Sequence, residues 1–266
     1  AGGGVETAPA VTLNDARPYQ FGWRDAVRAG WLAGRKRLCG VAATGTGKGF
    51  GLGLFCKDVL DGQLSVYGRD PRALVIAHRG LLVDQLAEGL TNLFPNHHVG
   101  VEMGKSRSRG DDDIVVACLD SLCIPRRLRY FKQARYAAGI WDEAHRYGRN
   151  DNRVRRVLKH FGEGMCHVGL TATPDRADGE MEFDDLAFEY DIFTAVEDGY
   201  LVRPYVAEGF GADDIQLERV QLTADGEFHG GQLAELMASA RPLAAAVKAA
   251  RYWSAYKGGR RPGIIT

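Results

Sequence analysis

The stretch that decides the fold is Ala42-Ala-Thr-Gly-Thr-Gly-Lys-Gly49. It follows an apolar run that reads as a buried strand, and it opens a segment with the pattern of a helix. Glycines let backbone N–H groups turn inward around phosphates, and the N-terminal end of the next helix adds partial positive charge. Lys48 supplies a cation for the β- and γ-phosphates. The stretch therefore predicts a phosphate-binding loop, and a glycine-rich turn that binds nothing is the alternative.

Apolar runs and helical patterns alternate along most of the chain. The runs that predict strands are residues 38–43, 73–77, 114–118, 138–141 and 168–171. The patterns that predict helices include residues 17–33, 80–93 and 153–161. Strands that alternate with helices are typical of a parallel sheet covered by helices on both faces. We therefore predict an α/β fold built on such a sheet.

Gly49 departs from the usual phosphate loop, in which a serine or threonine after the lysine binds Mg²⁺ through its hydroxyl. Gly51 and Gly53 follow in the same helical segment. Each glycine in a helix costs about 1 kcal/mol relative to alanine, and the sequence supplies no reason for so many of them here.

Two adjacent carboxylates follow the apolar run at 138–141, in the stretch Asp142-Glu-Ala-His145. Phosphate-loop ATPases place a metal-binding aspartate and a residue that acts on water at the end of a strand in this way. We predict that Asp142 holds Mg²⁺ and that Glu143 acts on the attacking water. The alternative is a solvated loop after a strand.

With these motifs in this order, the chain resembles the first RecA-like lobe of a superfamily 2 helicase or translocase with a DEAH box. The likeness is greatest to the branch that contains restriction-enzyme motor subunits and DNA-repair or phage helicases. It extends over about residues 17–204. The resemblance implies a RecA-like fold, ATP as the substrate, Mg²⁺ as the cofactor and movement along nucleic acid as the activity. The choice of DNA over RNA follows from the branch alone.

The resemblance also implies roles for single residues. In Arg17-Pro-Tyr-Gln20, Arg17 and Gln20 would recognise adenine, although a polar residue on an exposed helix face is the alternative for Gln20. In Gly169-Leu-Thr-Ala-Thr-Pro174, Thr171 and Thr173 would couple hydrolysis to strand movement. His145 would bridge the acidic residues to this motif, or would merely cap a turn. The phosphates would be held by Ala43, Thr44, Gly45, Thr46, Gly47, Lys48 and Gly49.

Contacts with the nucleic-acid backbone are implied at several positions. Arg79 lies in the stretch 77–79, and Asp120 and Ser121 lie in the stretch 115–122, where Cys118 stands in place of the usual threonine. Lys105 begins a segment with eight basic residues and four acidic ones. This segment predicts either a surface that follows phosphates or a solvated helix face, with equal weight. The eight are Lys105, Arg107, Arg109, Arg126, Arg127, Arg129, Lys132 and Arg135.

Composition excludes several classes of protein. The 266 residues include 34 Lys plus Arg and 34 Asp plus Glu, so a nucleic-acid-binding surface must gather its basic residues locally. No stretch approaches the ~18 consecutive apolar residues of a membrane span, and the first residues lack the pattern of a secretion signal. Reduced thiols in a cytoplasmic protein are expected, because the five cysteines form no C-x-x-C pair. They are Cys39, Cys56, Cys118, Cys123 and Cys166.

The expected organisation has four parts: a flexible N-terminus at 1–13, the ATP-binding lobe at 14–209, a helical linker at 210–259 and the start of a second lobe at 260–266. Residues 175–198 are strongly acidic and read as a solvated segment, and residues 201–207 read as a strand. The lobe that supplies an arginine finger would be missing. We therefore expect weak activity from the isolated chain, and other subunits of a larger complex are candidate partners.

Two other functions stay open from the sequence. One is a nucleotide-binding module that does not hydrolyse ATP and only docks DNA or a partner; Gly49 favours it, whereas Lys48 and Glu143 oppose it. The other is a scaffold within a restriction or phage-defence assembly. A nuclease or methylase motif would support a scaffold, and none is visible in this sequence.

Overall fold

The computed structural model describes residues 12–64, 69–108, 111–132, 135–162, 164–173, 181–183, 185–203, 221, 231–232 and 235. The chain divides into two compact units, Ala1–Arg203 and Pro204–Thr266. The first unit contains every element discussed below. The predicted second-lobe strand, most of the predicted linker and Pro174 lie outside the described residues, so the predicted domain boundaries stay predictions.

A seven-stranded parallel sheet forms the centre of the first unit, with the strand order β3-β4-β2-β5-β6-β1-β7. The strands are β1 (Arg37–Ala42), β2 (Ala73–Ala77), β3 (Val99–Glu102), β4 (Ile114–Cys118), β5 (Ala138–Asp142), β6 (Cys166–Thr171) and β7 (Asp185–Tyr190). The α-helices are α1 (Pro18–Leu32), α2 (Lys48–Leu60), α3 (Gly80–Leu93), α4 (Leu119–Leu122), α5 (Pro125–Leu128), α6 (Asn152–Phe161) and α7 (Ile192–Glu197). Short 3₁₀ helices lie at Leu13–Asp15 and Ala144–Arg146. The predicted α/β fold is confirmed.

Two strands were not predicted, and both lie at edges of the sheet. β3 contributes only two valines, and three of its four residues are partly exposed. β7 and α7 lie within the acidic segment, which the sequence did not predict to contain a strand. Most residues of 185–197 are at least partly exposed, so the interpretation of 175–198 as a solvated segment is wrong there only for the buried Tyr190 and Ala195. An edge strand buries less of its surface than a central one, and its sequence therefore carries a weaker apolar signal. Leu201–Arg203 form no strand, and the rest of the predicted strand at 201–207 lies outside the described residues.

Apolar side chains fill both faces of the sheet. Successive residues of β2 point to opposite faces, so Val75 packs with one cluster and Leu74 and Ile76 pack with the other. The first cluster includes Trp23 of α1 and Phe55 of α2. The second cluster is built around large aromatic residues, namely Trp141, Tyr147, Phe161 and Phe183. All five cysteines are buried and none forms a disulfide. No helix in the described part of the chain is long and apolar enough to cross a membrane.

The glycines of α2 have a packing explanation that the sequence did not show. A Cβ at Gly51 would lie 2.9 Å from Cε3 of Trp23, and a Cβ at Gly53 would lie 2.9 Å from Cδ1 of Leu93. These contacts are too close for an ordinary side chain, so α1 and α3 approach α2 only because glycine is present. Gly49 differs, because a Cβ there would meet no atom within 4 Å.

Candidate active site

The predicted phosphate loop connects β1 to α2 at the carboxyl edge of the sheet. Gly45 and Gly47 have φ angles of +86° and +81°, which side chains rarely tolerate, so glycine is needed at both positions. The side chain of Thr46 is buried, and its Oγ1 donates a hydrogen bond of 2.6 Å to the carbonyl of Ala43. Lys48 begins α2, and its Nζ lies 3.3 Å from the carbonyl oxygen of Ala42.

Two side chains of α1 donate hydrogen bonds to backbone carbonyls of this loop. Tyr19 donates its hydroxyl proton to the carbonyl of Thr46 at 2.7 Å. The amide nitrogen of Gln20 donates to the carbonyls of Thr46 and Gly47, at 3.1 and 3.2 Å. Gln20 is 3% exposed, so its interpretation as a polar residue on an exposed helix face is wrong. Within the described part of the chain, the N–H groups of Gly45 and Gly47 donate to no acceptor and can therefore bind a phosphate.

A cluster of tyrosines surrounds Tyr19 and was not predicted. The ring of Tyr19 stacks on the ring of Tyr190, with 4.3 Å between centroids, and meets the ring of Tyr200 edge-on at 4.8 Å. Tyr190 donates its hydroxyl proton to Asp198 at 2.7 Å, and the guanidinium of Arg17 lies 5.0 Å above the ring of Tyr200. The segment that follows β7 is therefore joined to the residues predicted to contact adenine. Tyr19 lies inside the stretch 17–20 singled out in the sequence, but its contact with Tyr200 did not show there.

The acidic residues lie at the same edge of the sheet as the loop. β5 and β1 run parallel to β6, which lies between them, so their carboxyl ends meet at one edge. Asp142 ends β5, and burial raises its pKa to about 6; the charge of Glu143 also raises this pKa, whereas the Glu143 N–H and Lys48 lower it. Glu143 has φ 53° and ψ 54°, and it is the one non-glycine residue with positive φ in the described part of the chain. Such a backbone costs of order 1–3 kcal/mol, and residues that adopt it cluster at active sites, ligand clamps and switch regions.

His145 connects the acidic residues to β6. Its Nδ1 lies 2.8 Å from Oγ1 of Thr171 and 3.4 Å from a carboxylate oxygen of Glu143. Thr171 Oγ1 donates to the carbonyl of Thr173 at 2.8 Å, and the Thr173 N–H donates back to Thr171 Oγ1 at 3.1 Å. A hydroxyl has one proton, so His145 must donate from Nδ1 when Thr171 donates to Thr173. The contacts fit the predicted bridge, and the role of His145 in coupling stays a prediction.

The residues predicted to contact nucleic acid lie at the carboxyl ends of β2, β3 and β4. Arg79 precedes α3 as its N-cap residue. Lys105 is exposed at the tip of a hairpin, and the neighbouring Gly104 N–H donates to Ser121 Oγ at 3.0 Å. Asp120 pairs with Arg153 of α6 at 2.7 Å. The structure therefore brings Lys105, Asp120 and Ser121 close together, and it places Arg79 on a neighbouring strand end.

The basic segment at 105–135 is neither a uniform phosphate-binding surface nor a uniform solvated face. Arg126 and Arg129 are exposed, whereas Arg127 is 8% exposed and pairs with the buried carboxylate of Glu102. Both interpretations of the segment are therefore wrong for Arg127. The sequence could not separate these neighbours, because the difference depends on which side of a one-turn helix faces the sheet.

The donor set near the loop fits Mg²⁺ with a bound nucleotide. Mg²⁺ is typically held by one or two carboxylates together with substrate phosphates and water, and Asp142 offers a carboxylate beside Lys48 and the loop. No group of three or more His, Cys, Asp or Glu side chains suited to a metal occurs among the described residues. A site made by the protein alone is thus not found in that part of the chain, and phosphates would have to complete the coordination.

Comparison with known proteins places these features in a family context. Residues 14–176 match the family described as "Type III restriction enzyme, res subunit". The protein irc3 of Schizosaccharomyces pombe, named as a mitochondrial ATP-dependent helicase, is 28% identical over 198 residues, which cover 71% of this chain and 32% of that protein. IRC3 of Saccharomyces cerevisiae, named as an ATP-dependent helicase, is 29% identical over 231 residues, which cover 83% of this chain and 32% of that protein. The chain thus spans about a third of the length of these relatives.

A solved structure shares the fold. The fragment of an HsdR subunit of a type I restriction enzyme from Vibrio vulnificus superposes with a TM-score of 0.50 at 23% identity. The match covers 69% of this chain and 32% of that one. At this identity the likeness describes the fold only.

The raised pKa of Asp142 leads to a prediction about stability. Between about pH 4 and pH 6 the folded chain keeps a proton on Asp142 that the unfolded chain has released, so stability falls as pH rises through this window. Asp142→Asn removes this dependence. We expect the variant to match the wild type near pH 4 and to exceed it above pH 6 by up to about 3 kcal/mol, as measured by urea unfolding. A stability difference that does not change with pH would contradict the assignment.

Proposed function

The chain belongs to the family described as the res subunit of Type III restriction enzymes, and from this premise we propose that it binds and hydrolyses ATP to drive movement along nucleic acid. It carries the first lobe of a superfamily 2 helicase-type motor. The observation that carries the proposal is the placement of the glycine loop, Lys48 and the Asp142–Glu143 pair at one edge of the sheet.

Binding of ATP would use the loop and its support from α1. The N–H groups of Gly45 and Gly47 and the ammonium of Lys48 would hold the phosphates. Lys48 would exchange its contact with the carbonyl of Ala42 for one with a phosphate. Arg17 and Gln20 are proposed to recognise adenine, and Gln20 also keeps the loop carbonyls of Thr46 and Gly47 in place.

Hydrolysis would depend on the carboxylate pair. A bound Mg²⁺ neutralises charge that develops on the transferred phosphate, and Asp142 is the residue proposed to hold it. Glu143 is proposed to orient the attacking water and accept its proton. The strained backbone of Glu143 supports this role, because residues with such backbones cluster at functional sites. His145 contacts both Glu143 and Thr171. Phosphate release would then change the environment of Thr171 and Thr173 through this histidine.

The partner is proposed to be nucleic acid, with DNA favoured over RNA and with Arg79, Lys105, Asp120 and Ser121 near its backbone. A second RecA-like lobe, the subunits of a larger complex and a cytoplasmic location also stay proposals. The DEAH sequence at 142–145 supports assignment to the DEAH-box type. The restriction-subunit family supports DNA, because restriction enzymes act on it.

The central prediction separates binding from hydrolysis. Lys48→Ala should weaken ATP binding, because it removes the cation that contacts the phosphates. Glu143→Gln should leave ATP binding intact and lower turnover by roughly 10²–10⁴-fold, because it removes the base alone. Nucleotide titration and phosphate release measure both effects, with the second lobe present wherever a longer form is available. Equal turnover by Glu143→Gln and the wild type would exclude Glu143 as the base.

A nucleotide-binding module without hydrolysis is the second candidate, and Gly49 is the observation that favours it. Gly49 offers no hydroxyl to a Mg²⁺ held by Asp142, so a water would have to supply that ligand at a cost of up to ~2 kcal/mol.

Replacing Gly49 tests this point directly. The space around Gly49 is open, so both Gly49→Thr and Gly49→Ala should fold. We expect Thr to lower the Mg²⁺ concentration needed for half-maximal ATP binding. The matched Ala variant supplies at least as large a gain in helix stability as Thr but no hydroxyl, so its Mg²⁺ requirement should resemble that of the wild type. If Thr and Ala behave alike in an Mg²⁺ titration, the missing hydroxyl does not limit the site.

A further inference from the structure

The segment after β3 forms a tight hairpin. Met103 and Ser106 exchange two backbone hydrogen bonds, of 3.2 and 2.8 Å, and Gly104 adopts a φ of +54° at the turn. Lys105 therefore lies at the tip, where it is exposed. The hairpin has few residues of its own to stabilise it, so its position depends on contacts with the rest of the domain.

Two contacts fix the hairpin to its surroundings. On one side, the Gly104 N–H donates to Ser121 Oγ of α4 at 3.0 Å. On the other side, Arg127 of α5 donates from Nη1 to the carboxylate of Glu102 at 2.9 Å and from Nη2 to the carbonyl of Gly104. One guanidinium therefore holds both the end of β3 and the residue next to Lys105.

The carboxylate of Glu102 is buried, and each of its two oxygens accepts a hydrogen bond. Glu102 is 2% exposed, and besides Arg127 it accepts a hydrogen bond of 3.1 Å from the Ser108 N–H. Arg107 lies farther away, at 3.6 Å, with nearly half of its side chain exposed. Removing one partner of a buried ion pair is strongly destabilising, so the pair keeps the Arg127 guanidinium in place. From that position the guanidinium holds the carbonyl of Gly104 in the hairpin.

We propose that Glu102 and Arg127 are positioning residues that hold Lys105 beside Ser121 for contact with the backbone of nucleic acid. The inference rests on the proposed function, because it assigns the geometry of the same binding surface. Arg127 itself touches no phosphate, since its guanidinium is buried against Glu102 and Gly104. Arg126, its exposed neighbour in α5, is the natural comparison.

The test measures how much Lys105→Ala lowers the magnitude of the salt slope of DNA binding, and this decrease is called its cost. It is measured in three backgrounds of the 266-residue chain. These are the wild type, Glu102→Gln/Arg127→Met and Arg126→Met. The double variant removes both buried charges without leaving one unpaired, whereas Arg126→Met removes one charge from the exposed side of α5. The probe is fluorescently labelled oligothymidylate, titrated over a range of salt concentrations. Loss of one phosphate contact on a single strand should lower the magnitude of the log–log salt slope by about 0.7.

The expected result is a loss of about 0.7 in slope for Lys105→Ala in the wild-type and Arg126→Met backgrounds, and little further loss in the double variant. A merely structural role of the pair would leave the cost of Lys105→Ala unchanged. Equal cost in all three backgrounds, or no cost in the wild type, overturns the inference while the proposed function stands. If the wild type binds no oligothymidylate and no duplex DNA, the nucleic-acid part of the proposed function fails first.

Arg127→Lys provides a further background that keeps the buried charge. An ammonium can pair with Glu102, but it lacks the fork that also reaches the carbonyl of Gly104. We expect Lys105→Ala to cost less in this background than in the wild type. An unchanged cost here would show that the link to Gly104 is not what positions Lys105.

Discussion

The hydrogen bonds that Tyr19 and Gln20 donate to the phosphate loop constrain the rest of this site. They occupy the carbonyls of Thr46 and Gly47, and the N–H groups of Gly45 and Gly47 stay available for phosphate. A loop with two positive-φ glycines has many accessible conformations, so a fixed shape requires such external contacts. Gly51 also contributes, because it lets Trp23 of α1 pack directly on the helix that begins at Lys48.

The same architecture connects the loop to two distant parts of the domain. Through Tyr19, the loop contacts Tyr190 and Tyr200, which flank the segment after β7. Across the edge of the sheet, Asp142 and Glu143 lead through His145 to Thr171 on β6. The loop and the acidic pair therefore each connect to a more distant part of the domain, the loop through stacked rings and the acidic pair through hydrogen bonds. The hairpin with Lys105 is held separately, by the buried pair of Glu102 and Arg127.

The sequence predicted the parts whose chemistry is local. The loop, the central strands and the acidic pair each depend on a few adjacent residues, and their order along the chain was enough to predict the fold class. The parts that escaped prediction depend on distant contacts. The stack of Tyr19 on Tyr190 joins residues far apart in the chain, and the burial of Arg127 beside an exposed Arg126 depends on how α5 faces the sheet. The edge strands β3 and β7 escaped because half-buried strands carry weak apolar patterns.

The account rests on the claim that the loop at 43–49 binds the phosphates of ATP. Amide hydrogen exchange, resolved at single residues, tests this claim with and without Mg²⁺ and a non-hydrolysable ATP analogue. We expect slower exchange of the N–H groups of Gly45, Gly47 and Lys48 when the nucleotide is bound, because those amides would gain acceptors. Unchanged exchange at these three amides, under conditions in which the nucleotide is bound elsewhere on the chain, would contradict it.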